Sequence, residues 1–264
     1  MDQRAQRVWR RRRGQEYDTL DWLAAEEPLE IRIEGNPTAV LLRTPGDDFD
    51  LVAGFLSTEG VIDGIDDIVA MAHIDEPSDP KGNTVDVSLA SGVPLARRSK
   101  ADRSFFASSS CGICGKASIE KVLQKTPSRD RWEAISEEQI VSLPAKLSEE
   151  QSVFEKTGGL HAAALFDRSG QLIVLREDIG RHNAVDKVIG SCLRSDRWPL
   201  SELTLLVSGR AGFEIVQKAL MAQIGILAAV GAPSAMAASL AYEGKMRLIG
   251  FLRGGRYNLY GHLE

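Results

Sequence analysis

Apolar positions along the chain follow two rhythms, and their order divides the protein. After a charged start, PLEIRIEGNPTAVLLRTP alternates apolar and polar residues in two short runs around a Gly35-Asn36 turn, followed by Pro37, which predicts two strands. DDFDLVAGFLSTEGVI changes to helical period, with Leu51, Phe55 and Leu56 on one side and Gly60 near the stop. IVAMAHI and NTVDVSLA alternate again and predict two strands separated by the loop DEPSDPKGN. Residues 18–105 are therefore expected to form a small α+β domain. The stretch FFASSSCGIC then turns abruptly small and polar, as a mobile loop does.

Beyond that loop, strand and helix patterns take turns. HAAALFD and LIVLRED predict a hairpin around Arg168-Ser169-Gly170, and RHNAVDKVIGSCL a helix. LTLLVSG, FEIVQKALMAQI, ILAAVGA, SAMAASLAYEG and RLIGFLRGG continue as strand, helix, strand, helix, strand. This alternation predicts an α/β domain over 106–264, with helices covering both faces of a mixed sheet. The whole is thus α/β in its larger part and α+β overall.

Composition changes this picture little. The 264 residues are 43% hydrophobic and 26% charged, ordinary for a soluble globular protein. A net charge of -5 argues against general nucleic-acid binding. The exception is local: Arg4, Arg7 and Arg10 to Arg13 make residues 1–17 a basic arm, expected to be disordered and solvated. No apolar segment follows the arginines, so neither a secretory nor a twin-arginine signal is expected. The long apolar stretch KALMAQIGILAAVGAPSAMAASLAYEG is broken by Gln223, Gly231 and Pro233, which suits buried helix and strand better than a membrane span. A cytoplasmic location follows as the expectation.

Three cysteines cannot build a disulfide framework, and in a reducing compartment they are thiols. Cys192 shares an apolar helical face with Val188 and reads as a small buried hydrophobe. Cys111 and Cys114 are different. Glycines flank the pair and leave room for a partner to approach, while Lys116 and a following helical pattern favour thiolate over thiol. A lone CxxC still fits a redox dithiol, half of a metal site, or a sulfur-carrying or structural pair. A four-cysteine zinc site is excluded by number, and His73, His161, His182 and His262 show no ligand spacing among themselves, so no metal is expected. A thioredoxin-like dithiol wants its CxxC directly after a strand, whereas FFASSS precedes this one.

Three further clusters fall where strands give way to turns. Arg176-Glu177-Asp178 ends a strand, and Arg181, His182 and Asn183 open the next helix. Ser208-Gly209-Arg210-Ala211-Gly212 leads from an apolar strand into a helix, a small-residue anion cradle with an arginine fork but no Walker lysine. In GFLRGGRYNLYGH, Arg253 and Arg256 flank Gly254-Gly255, which suits phosphates, and Tyr257 and Tyr260 suit a flat heterocycle. Turns at one sheet edge converge on one ligand, so Arg181, His182 and Arg210 are expected to line the same cavity as Arg253 to Arg256.

Taken together, NPTAVLLRTPGDDFDLVAGFLSTEGVI, SCGICGKAS, GGLHAAALFD, REDIGRHNAVDK, SGRAGFEIVQKA and GFLRGGRYNLYGH resemble the FdhD family, the formate dehydrogenase accessory sulfurtransferases. The resemblance runs from about Arg32 to the end and implies several things. The larger domain would have a cytidine-deaminase-like three-layer fold, and the protein would be a cytoplasmic homodimer. It would accept sulfur from a cysteine desulfurase as a persulfide on the Cys111–Cys114 pair. The acceptor would be a bis(molybdopterin guanine dinucleotide) cofactor destined for formate dehydrogenase, bound through its guanine nucleotide ends, for which GDP is a surrogate. The family's cofactor-binding stretch falls on Phe251, Leu252, Arg253, Gly254, Gly255 and Arg256. Two other readings stay open: a non-covalent molybdenum-cofactor chaperone and a thiol-disulfide oxidoreductase.

Overall fold

The computed structural model describes residues 2–75, 79, 81–94 and 135–261. The expected boundary near residue 106 lies outside them. Two larger sheets organise the chain. In the first, β3 (Glu27–Ile33) and β4 (Asn36–Arg43) are antiparallel, β6 (Thr84–Leu89) runs parallel to β3, and β5 (Ile68–His73) pairs with β6. The β3–β4 turn is Glu34-Gly35, both at positive φ, one residue earlier than the sequence suggests. Alternation puts Leu29, Ile31 and Ile33 with Val85, Val87 and Leu89 on the face that α1 (Asp48–Thr58) covers with Leu51, Val52, Phe55 and Leu56.

The second sheet has the order β12-β11-β10-β9-β7-β8. β9 (Thr204–Val207), β10 (Ile226–Ala229) and β11 (Arg247–Arg253) are parallel, while β7 (His161–Phe166), β8 (Leu172–Asp178) and β12 (Arg256–Gly261) join antiparallel. The short apolar strands are buried on both faces. Leu205 and Val207 point to α4 (Arg181–Arg194), α5 (Phe213–Met221) and α6 (Ala235–Glu243), whereas Leu206 points to α2 (Glu137–Glu150). The result is the expected mixed sheet between helical layers. Helix α2 went unread in the sequence, although Ser136 and Gln139 form a full capping box before Ile140, Leu143 and Leu147. The short α3 (Ser152–Thr157) follows it. Among the described residues no helix is long and apolar enough to cross a membrane.

The two sheets are joined by a helix crossing at backbone contact. A Cβ on Gly54 of α1 would stand 1.9 Å from the Asp186 carbonyl oxygen, and one on Gly190 of α4 would stand 1.9 Å from that of Asp50. Around the crossing, Asp50 holds Arg176 and Arg194. Deeper, Lys218 lies within 2.9 Å of both Asp186 oxygens and donates to Thr58 Oγ1 at 3.0 Å. Burial raises the Asp186 pKa. Burial also works against the Lys218 charge, but Asp186 and Glu59 outweigh it and raise that pKa. Thr58 donates to Asp186 Oδ1 at 2.8 Å, so the geometry supports an intact ion pair.

The arginine-rich start differs from its expected disorder. β1 (Gln3–Arg12) and β2 (Gln15–Ala24) form an antiparallel hairpin. Composition shows the arginines but not the acids they face: Arg4, Arg7, Arg10 and Arg11 pair with Glu27, Asp18, Asp21 and Glu16.

Candidate ligand site at the sheet edge

The parallel strands β9, β10 and β11 end on one edge, and antiparallel pairing brings the start of β7 and the end of β8 to it. Helices α4, α5 and α6 begin there, after Gly180, Gly212 and Ser234. Neither α4 nor α5 has a side-chain cap, so their first N–H groups and positive dipole ends face the edge.

Buried polar groups fix this edge. Asp178 forms an ion pair with Lys187 at 2.8 Å, accepts hydrogen bonds from Gly180 N and Asn183 Nδ2, and accepts one from Thr44 N, just after β4. Lys187 donates to the Thr44 carbonyl, and Ile179 N to the Thr44 hydroxyl. The turn carrying Arg181 and His182 is thereby set against the smaller sheet. His182 Nε2 meets Glu214 Oε2 at 2.8 Å, linking the first turns of α4 and α5. His161 sits opposite Asp178 across the β7–β8 ladder. Burial lowers its pKa, and Arg181 and His182 lower it further against the opposing pull of Asp178; the net shift favours the neutral ring. A Cβ on Gly209 would come within 3.4 Å of His161 Nδ1.

From β9 the edge continues by backbone. Gly231 N donates to the Gly209 carbonyl at 2.9 Å, and Phe251 N to the Gly231 carbonyl at 3.0 Å. Register shifts between Gly250 and Arg253, and Phe251 takes a φ of 56°. Arg253 then pairs with Arg256 across Gly254-Gly255, both glycines at positive φ, in a two-residue turn of the primed type. Nothing lies within 4 Å of a Cβ built on either glycine, so the turn's backbone stands open between two exposed arginines.

The sequence-predicted residues therefore border one edge in two groups. Arg181 and His182 sit beside His161, with Arg210 exposed at the end of β9. Arg253 to Arg256 continue from β11, two strand positions from β9, or about 10 Å across the sheet. Leu252 is buried in the core with Ile140 and Leu143, so its side chain packs rather than contacts a ligand. Tyr257 packs on the α2 side of the sheet and Tyr260 on the α6 side. Their odd spacing on β12 puts them on opposite faces, and they cannot clamp one base together.

Cys111 and Cys114 lie outside the described residues. Cys192 is buried, as expected, and burial pushes its thiol up to about 11, which leaves it inert as a nucleophile. It lines a cavity of ≈ 540 Å³ with Val174, Arg176, Ser191 and Arg197, along the C-terminal half of α4 and away from the edge. Among the described residues no three His, Cys, Asp or Glu side chains could hold a metal ion together. Sequence reasoning missed His161 and Glu214 as parts of the edge. A hairpin turning at 168–170 places residue 161 opposite 178, and that counting could have found the first.

A family model described as the FdhD/NarQ family matches residues 24–264. The chain belongs to the FdhD/NarQ family. Relatives in it are similar over nearly their whole length. "Sulfur carrier protein FdhD" of Streptomyces avermitilis is 49% identical over 264 residues, covering 96% of this chain and 92% of that one. The protein of the same name from Mycobacterium tuberculosis is 48% identical over 247 residues, covering 90% and 89%. A solved structure described as that of a formate dehydrogenase accessory protein from Desulfotalea psychrophila superposes with a TM-score of 0.77 at 23% identity, covering 99% of this chain and 98% of the other, and shows the fold. Within this FdhD/NarQ chain the matched segment starts at Ala24, so β1 and nearly all of β2 precede it.

Proposed function

We propose that the chain carries sulfur as a persulfide on Cys111, assisted by Cys114, and passes it to a bis(molybdopterin guanine dinucleotide) cofactor held at the sheet edge. As a member of the FdhD/NarQ family it is a sulfurtransferase that serves the maturation of formate dehydrogenase. The donor is a cysteine desulfurase. The Cys111 thiolate attacks the outer sulfur of the donor's persulfide, and the donor's own thiolate leaves. Cys192 is unsuited to this step, being buried and protonated. The protein works in the cytoplasm as a homodimer.

The observation that supports the acceptor is the edge itself. Two helix N-termini without side-chain caps, the exposed Arg210, Arg253 and Arg256, and the half-buried Arg181 border one ridge of backbone. Such a surface suits a phosphate-bearing ligand. Its guanine nucleotide ends would meet Phe251, Arg253, Gly254, Gly255 and Arg256, with Arg181, His182 and Arg210 along the same edge. A mixed sheet between helical layers agrees with a cytidine-deaminase-like ancestry. Deaminase chemistry is not retained, because α4 and α5 start with RHNAVDK and GRAGFEIV, which contain no cysteine to ligate zinc.

Formate dehydrogenase activity in cells relying on single variants tests the proposal. Cys111→Ala should abolish activity and Cys114→Ala should reduce it. Full activity with Cys111→Ala and loss with Cys114→Ala would reverse the assignment, and full activity with both would overturn the covalent route.

A further inference from the structure

We propose that the free edge of strand β8 is a docking groove for an extended segment of a partner protein that alternates apolar and acidic residues. β8 ends the six-stranded sheet and has β7 on one side only. Ala162 turns its N–H and carbonyl toward Ser208, so His161, Ala163 and Leu165 bond β8 through Asp178, Arg176 and Val174. Leu175 and Glu177 therefore point their N–H groups outward, and neither N–H has a partner among the described residues. Beside this edge runs the cavity of ≈ 540 Å³, floored by Leu172 to Leu175. Ser191, Ser195 and Arg197 form a wall at the end of α4, and Glu150 borders the cavity at the end of α2. Unpaired strand donors along a cleft are satisfied by an added strand.

Charge and side-chain direction select the occupant. Val174 and Arg176 face α4, where Asp50 already holds the Arg176 guanidinium. Leu175 packs on the α2 side, as does Leu172 beyond the register shift. Arg197 N donates to the Cys192 carbonyl at 3.0 Å, which fixes the backbone of the α4 wall. The Arg197 side chain is exposed and has no ion pair among the described residues, so its charge is open to a ligand. A strand added to β8 sends alternate side chains to the two faces. Those on the α4 side meet Arg197 and suit carboxylates, while those on the α2 side meet Leu172 and Leu175 and suit apolar groups. Leu172 to Arg176 span about 16 Å, room for five residues of a partner. A nucleic-acid backbone or a lipid surface would call for a broader basic face. The groove lies along the C-terminal half of α4, away from the ligand edge, so the inference stands apart from sulfur transfer.

Fluorescence anisotropy of the dye-labelled peptide Thr-Asp-Val-Asp-Val-Asp-Val-Thr, titrated with the full chain, tests this. Wild type should bind it at least tenfold more tightly than its twin with lysine in place of each aspartate. Arg197→Glu, at an exposed and unpaired position, should keep the fold and reverse that preference. The Leu175 and Glu177 amides should exchange more slowly with peptide bound, as a new ladder requires. Binding without slowed exchange there would be a contact of charges only and overturns the docked strand. No binding, or equal affinity of both peptides for wild type and for Arg197→Glu, overturns it too. Sedimentation over a dilution series should give both proteins the same self-association midpoint. A shifted midpoint in Arg197→Glu would assign the groove to a second copy and so overturn the partner.

Discussion

Asp178 and Lys187 meet at 2.8 Å with side chains 0% and 1% exposed, at the turn where strand β8 hands the chain to helix α4. Because both also bond Thr44, this one pair fixes the first turn of α4 and locks the smaller sheet to the ligand edge. Lys187→Met leaves the Asp178 charge buried without its counter-ion, at a cost of about 3–5 kcal/mol. Urea unfolding should show that loss, and Asp178→Asn combined with Lys187→Met should recover part of it. Independent, additive losses would mean that the pair does not act as a unit.

The crossing of α1 and α4 makes a steric prediction. A methyl group on Gly54 or Gly190 would overlap a carbonyl oxygen of the facing helix, and helix backbones cannot yield as side chains do. Gly54→Ala and Gly190→Ala should each destabilise the protein by about 1–3 kcal/mol or more, despite the better helix propensity of alanine. The midpoint of chemical denaturation reads this directly, and a stabilised variant would contradict the crossing.

Acid should act through His161. Burial, Arg181 and His182 hold its folded pKa below the ordinary 6.5, so as pH falls the unfolded chain takes up the proton first. Stability from this group is fully present above about pH 6.5 and is lost progressively as pH drops toward the lowered folded value. His161→Gln should flatten that part of the stability–pH curve. An unchanged slope would remove His161 as its source.

Arg256 tests the nucleotide end of the site. A guanidinium grips phosphate with two parallel hydrogen bonds, which an ammonium cannot copy. Arg256→Lys should therefore weaken GDP binding by about 1.5–3 kcal/mol, roughly tenfold or more, although the charge is kept. Calorimetry decides it: equal affinities exclude Arg256 from the site, and no binding by the wild type excludes the pocket.

Much of this was legible where one rhythm governed a segment. The unbroken apolar strand LTLLVSG and the helical face of RHNAVDKVIGSCL predicted β9 and α4, because both elements bury what their period exposes. Failures came where a partner distant in sequence decided the outcome. The arginines of β1 became a strand because acids on β2 and Glu27 stand beside them. Tyr257 and Tyr260 looked like one aromatic clamp until their strand placed them on opposite faces. Leu252 shares the nucleotide stretch by position only, since the bulge after Gly250 turns it into the core.

Mass analysis of the sulfur itself addresses the central claim most directly. The protein would be incubated with a cysteine desulfurase and cysteine, then digested without reductant. The peptide holding Cys111 should gain about 32 Da per transferred sulfur atom. Cys111→Ala should abolish the gain, while Cys114→Ala should still acquire it and the Cys192 peptide should stay unmodified. Loaded sulfur on Cys192, or undiminished loading of the Cys111→Ala protein, would contradict the account.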